Sequence, residues 1–145
     1  PAQPWEYVVM HRLASRLPEE AQPMFLNAHR MHLFGDHSML LTDFGEYGTL
    51  QDALRKYAEA GQEMEEVVAL FYTIELLSAV EAMHAAGLTH NGLGIENIML
   101  RNGGSEWEEW APWKPGSWQE KGLMLVDFDQ AIDMRAFPKG TQFTG

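Results

Sequence analysis

The segment that most constrains this chain runs from Glu65 to Ala86 and stops at Gly87. Val67, Leu70, Phe71, Ile74, Leu77, Val80 and His84 recur at steps of three and four, the spacing of one helix face. This predicts a long helix whose apolar stripe belongs to the core. Gly87 is the expected stop, because glycine takes the left-handed backbone that ends a helix without a Cβ clash. After it come a loop, Thr89 to Asn97, and two short apolar runs of strand type, Ile98–Arg101 and Leu123–Val126. If those runs pair as a hairpin, Asn97 and Asp127 meet at one end of it.

The rest of the chain supplies fewer, shorter elements. Trp5, Val8, Val9, Leu13 and Leu17 have helical spacing, Pro4 suits the first turn, and Pro18 ends the segment. Residues 19–29 read as a loop or short helix around Met24. Arg30–Phe34 and Ser38–Phe44 read as strands joined at Gly35-Asp36-His37. Asp43–Gly48 is a loop, and Thr49 caps a short helix that stops at Gly61. Helices and strands segregate rather than alternate, so the class is α+β.

Charge narrows the function. Ten Lys plus Arg against twenty-one acids give a net charge of -11, which disfavours nucleic-acid and anionic-membrane partners. The absence of cysteine excludes disulfides and thiolate zinc sites. No apolar run approaches the roughly 18–20 residues of a membrane span. The chain opens on Pro1 and reads as a piece of a longer protein.

The chemistry concentrates around the loop. An amide oxygen at Asn97 and a carboxylate at Asp127 are hard ligands of the kind Mg²⁺ takes, and Mg²⁺ usually arrives with phosphates. Protein kinases carry H-R-D-x-x-x-x-N followed by D-F-G. Here His90, Gly92 and Asn97 keep that spacing, and Asp127-Phe128-Asp129 stands at the D-F-G position. A closer resemblance is to the Bub (budding uninhibited by benzimidazoles) spindle-checkpoint kinases. "PAQPWE" at 1–6 is similar to that family's "KP-A-x-PWE", and Gly48-Thr49-Leu50 matches its "GTL". "HNGLGIEN" stands against its "HGDIKPDN", and "DQAIDMRAFPKGT" at 129–141 against its "GQSIDMKLFPKGT". The resemblance covers the whole chain except residues 102–120.

The resemblance implies a bilobal protein-kinase-like fold present in part. Residues 1–44 would give a small-lobe helix and two strands, 45–48 the hinge, and 49–145 part of the large lobe with a Trp-rich insertion at 102–120. It implies ATP and Mg²⁺ as cofactors. Asp43, Phe44, Gly45, Glu46 and Tyr47 would line the adenine, and Asn97 and Asp127 would hold the metal. His90 would be the structural histidine of the loop, and Glu6 the helix glutamate that pairs with an ATP-orienting lysine. It further implies checkpoint and kinetochore partners and a nuclear, kinetochore location. The departures are specific: Gly92 replaces the catalytic Asp, Gly94 the loop Lys, and Asp129 the Gly of D-F-G. They point to a pseudokinase scaffold. A Ser/Thr kinase with an atypical loop is the alternative, with Glu96 as a conceivable stand-in carboxylate, and a damaged gene product is the third reading.

Two further clusters have plain readings. His29, His32 and His37 match no strong zinc spacing. Trp107, Trp110, Trp113 and Trp118 read first as cover for the large lobe and second as a partner-binding loop. Uncovered apolar faces and strand edges predict that the segment alone is marginal or aggregation-prone.

Overall fold

A helix opens the computed structural model, which describes residues 4–102 and 121–143. Helix α1 (Trp5–Arg16) buries Val9, Met10 and Leu13, one face at helical spacing, and ends at Leu17, before Pro18. A 3₁₀ turn at Gln22–Met24 leads to strands β1 (Ala28–Leu33) and β2 (Ser38–Thr42), an antiparallel hairpin with a bulge between Ala28 and Arg30. Residues 43–48 lie in no helix or strand. Thr49 caps α2 (Leu50–Glu59) through a full capping box. Its hydroxyl accepts from the Asp52 N–H, and the Asp52 carboxylate accepts from the Thr49 N–H at 2.9 Å.

Helix α3 (Glu66–Ala85) stops at Ala86 and Gly87, the latter with φ 79°. Two-residue strand β3 (Leu88–Thr89) follows, then β4 (Ile98–Asn102), β5 (Lys121–Leu125) and two-residue β6 (Ile132–Asp133). β4 pairs antiparallel with β5, Ile98 opposite Leu125, and β3 pairs with β6. The core lies between α1, α3 and the β4–β5 hairpin. Its largest fully buried side chains are Phe128, Leu13, Met83, Leu88, Leu123, Leu125 and Val9.

Two expectations need correction. The stripe of α3 is not core among the described residues. Phe71, Ala79 and Met83 are buried, at steps of four and eight, while Val67, Leu70 and Ile74 are exposed and Leu77 is 64% exposed. The helix is apolar on nearly all sides, so periodicity does not select the face that packs on β3 and β5. For the same reason α3 is, by length and composition alone, long and apolar enough to cross a membrane, contrary to the sequence reading. Glu75 and Glu81 interrupt it, and its Phe71–Met83 face is covered by protein. The four tryptophans of the 102–120 insertion lie outside the described residues.

Candidate functional site

The β4–β5 register organises the site. Asn97 ends a 3₁₀ turn immediately before β4, and Asp127 follows β5 by two residues. The Val126 N–H donates to the Asn97 carbonyl at 3.1 Å, so both side chains stand at one end of the hairpin. Asn97 Nδ2 donates to the Gly92 carbonyl at 2.8 Å, which holds the loop and leaves its Oδ1 as the second polar atom of the amide. Asp127 is exposed and has φ 64°. Left-handed backbone costs a residue with a Cβ about 1–2 kcal/mol, and such positions cluster where a side chain must be aimed. Asn91 shares this conformation at φ 61°, with its amide donating to the Gln130 carbonyl at 3.2 Å.

His90 is buried beneath the loop with both nitrogens bonded. Nε2 donates to the Val126 carbonyl at 3.0 Å, and Nδ1 accepts from the Gly92 N–H at 3.3 Å. That pattern needs a neutral ring with its proton on Nε2. The ring also packs on Phe128, with centroids 5.3 Å apart and Phe128 fully buried.

Glu6 reaches this end of the hairpin from α1. Burial raises its pKa above the usual glutamate value. The Phe128 backbone N–H, which bonds the carboxylate, pulls the other way, and the charges of Asp127 and Asp129 add to the rise. Glu6, Asp127 and Asp129 are thus acidic neighbours at one mouth.

The loop itself is bare. The atoms nearest to where a Cβ would stand at Gly92 are His90 Nδ1 at 3.7 Å and the Gln130 side-chain amide at 3.8–3.9 Å. At Gly94 a Cβ would collide with the Glu96 carboxylate, which lies against the glycine.

Residues 43–48 run past the opposite part of β4. The Leu100 N–H donates to the Gly48 carbonyl at 2.9 Å, and Gly45 is pressed against the Met99 side chain so closely that no Cβ fits without displacing it. Asp43, Phe44, Gly45, Glu46 and Tyr47 line a cavity of about 450 Å³ together with Leu13, Leu17 and Met124. Phe44 is 87% exposed. Neither Asn97 nor Asp127 lines that cavity, so the two groups of predicted site residues flank β4 without sharing one hollow among the described residues. His29 bonds Asp43, and His37 bonds Asp36 and stacks on Phe34. Among the described residues no group of three or more His, Cys, Asp or Glu is placed to hold a metal.

Sequence reasoning missed the junction of α1 with β6. Asp133 is 2% exposed and accepts from Arg12 at 2.7 Å, from Arg16 at 3.0 and 2.8 Å, and from the Arg135 N–H at 3.0 Å. The hydrogen bonds from Arg16 do most to hold its carboxyl below the usual aspartate range, against the effect of burial. Trp5 Nε1 donates to the Ala131 carbonyl at 2.7 Å. The only local signal was the spacing of Arg12 and Arg16, four apart and so on one helix face.

A loop bonded through a buried histidine, an Asn and an Asp at one hairpin end, and a helix glutamate near that Asp lie in a fold that is part of a protein-kinase domain. No family model matches the chain. It is 38% identical over its whole length to the mitotic checkpoint serine/threonine-protein kinase BUB1 of Arabidopsis thaliana, and 34% identical to that of Mus musculus. It spans 28% and 13% of those proteins. The crystal structure of the BubR1 kinase domain matches with a TM-score of 0.80 and 26% identity, over 96% of this chain and 39% of that one. Over its whole length the chain is similar to Bub checkpoint kinases, and it matches a segment of their kinase fold.

Proposed function

We propose that this segment forms the cleft of a spindle-checkpoint kinase domain that has lost phosphoryl transfer and acts as a scaffold. Its partners would be checkpoint and kinetochore proteins, in the nucleus at the kinetochore. The observation that carries this reading is Gly92, where the loop offers no carboxylate to orient a substrate hydroxyl. Phosphoryl transfer depends on positioning and charge stabilisation, and a missing positioning group costs about 10²–10⁴-fold. Glu96 deepens the loss, because its carboxylate covers Gly94, where the resemblance puts a lysine.

The cleft still suits a nucleotide. Asn97 Oδ1 and the Asp127 carboxylate are oxygen donors at one hairpin end, which fits Mg²⁺. Bound there, the metal would neutralise phosphate charge. Asp43–Tyr47 would border the adenine, His90 would hold the loop, and Glu6 would meet a lysine from outside the described residues. These ligands support the second reading, an active Ser/Thr kinase with an atypical loop.

The first test is the melting temperature of the whole protein with and without Mg·ATP. A ligand that binds only the folded state stabilises it by about 2.7 kcal/mol at a hundred times its Kd. A Mg²⁺-dependent rise is expected, and its loss in Asp127→Asn. A phosphotransfer assay then separates the readings. The scaffold reading expects no transfer until Gly92→Asp restores it. A Cβ at 92 meets only ordinary contacts, so that variant fits the loop. Transfer by the unaltered protein that Gly92→Asp leaves unchanged would support the active kinase instead.

A further inference from the structure

Asp133 is the one buried acid of the described residues, and its surroundings are built rather than incidental. Three guanidinium hydrogen bonds from α1 and one backbone N–H converge on its two oxygens. Arg16 also donates to the Ala86 carbonyl at 3.1 Å, so one side chain ties α1 to β6 and to the end of α3. At the other end of α1, Trp5 is bonded to Ala131, two residues before Asp133, and Arg12 lies 5.2 Å over the Trp5 ring. The helix is therefore held along its length, through side chains at 5, 12 and 16, by the three residues Ala131–Asp133. Apolar contacts are non-directional, so alone they set the roll of a helix less sharply than directed hydrogen bonds do. A helix with two guanidinium groups on a buried carboxylate is held more sharply, because a roll takes that carboxylate's partners away.

Glu6 sits one residue after Trp5, and it faces Phe128 and Asp127. Whatever fixes the roll of α1 fixes Glu6. We infer that Asp133 is a positioning residue: by gathering Arg12 and Arg16 it locks α1 onto β6 and so sets where Glu6 stands at the cleft. This rests on the reading of the cleft as a nucleotide site. The lock is encoded by side chains and needs no added group.

The test is amide hydrogen exchange on the whole protein, without nucleotide, comparing the unaltered chain with Asp133→Asn and Asp133→Glu. Hydrogen bonds to charged groups are each worth enough that losing the ionic ones should speed exchange of the α1 amides about tenfold or more. The α3 amides should keep their rate, and Asp133→Glu should restore most of the α1 protection. Unchanged α1 exchange in folded Asp133→Asn overturns the lock. An equal acceleration in α3 also overturns it, since that is general destabilisation. Should Asp133→Asn not fold, Arg12→Gln is read in the same way. It removes one of the three guanidinium bonds and should speed α1 alone by about threefold, with no change overturning the lock.

Mg·ATP affinity is the separate arm. Loosened α1 with undiminished affinity overturns the positioning role, and about tenfold weaker binding supports it. If the unaltered protein binds no Mg·ATP, the cleft reading fails and takes the role at the cleft with it, while exchange still decides whether Asp133 locks the helix.

Discussion

The two hairpins are the same kind of object in sequence and opposite kinds in the fold. β1–β2 and β4–β5 are antiparallel pairs of strands of five or six residues, each pair carrying several Met and Leu. In β5 the last four residues are all buried, and Phe25 and Leu26 add a further backbone connection at Leu125. In β1–β2 only one face turns inward, through Ala28 and Leu40. The other carries Met39, 53% exposed, and Leu41. The buried hairpin bears Asn97 and Asp127 on its end, and the exposed one leads into residues 43–48. The two residues proposed to hold a metal thus stand on a rigid base, whereas the connecting strand meets only one neighbour.

The comparison can be broken by substitution in the whole protein, read by denaturant unfolding. Leu125→Ala should cost about 3–4 kcal/mol, because the side chain is fully buried and the cavity cannot collapse against paired backbone. A loss under 1 kcal/mol would mean that the hairpin does not anchor the core. The segment after β5 belongs to the same rigid side, and its Asp133 makes the contrast depend on pH. Its folded pKa lies below the usual value, so the stability it contributes is full above about pH 4 and is lost as the pH falls through the folded value. The gap between the unaltered protein and Asp133→Asn should be widest at neutral pH and close on acidification. A gap that persists under acid would show that charge is not its source. The smallest effect belongs to the other hairpin: Met39→Thr should change stability by less than about 0.5 kcal/mol. A larger loss would show that chain outside the described residues covers that face.

The same contrast marks what could be read from residues alone. Both hairpins, the Thr49 cap and the Gly87 stop were legible, because each is set by a few adjacent residues. So were the ends of α1, which Pro4 and Pro18 set. The buried face of α3 was not, because a helix apolar on nearly every side carries no phase. β3 and β6 were not, because two residues are too short to show an alternation and exist as strands only through each other. Of the site, the pairing that puts Asn97 beside Asp127 followed from two short strands and the loop between them. The Asp133 junction left almost no trace, since its partners are 117 and 121 residues apart.

That separation has a consequence in time. The carboxylate that holds α1 is synthesised 121 residues after Arg12. At about 5–20 residues per second, the helix waits roughly 6–24 s for its anchor. Its apolar partners come sooner: Phe25, Ala79 and Met83 share a core with Val9, Met10, Leu13 and Leu17 and are made before Asp133. The apolar docking of α1 can therefore precede its ionic lock, which closes only once β6 is made.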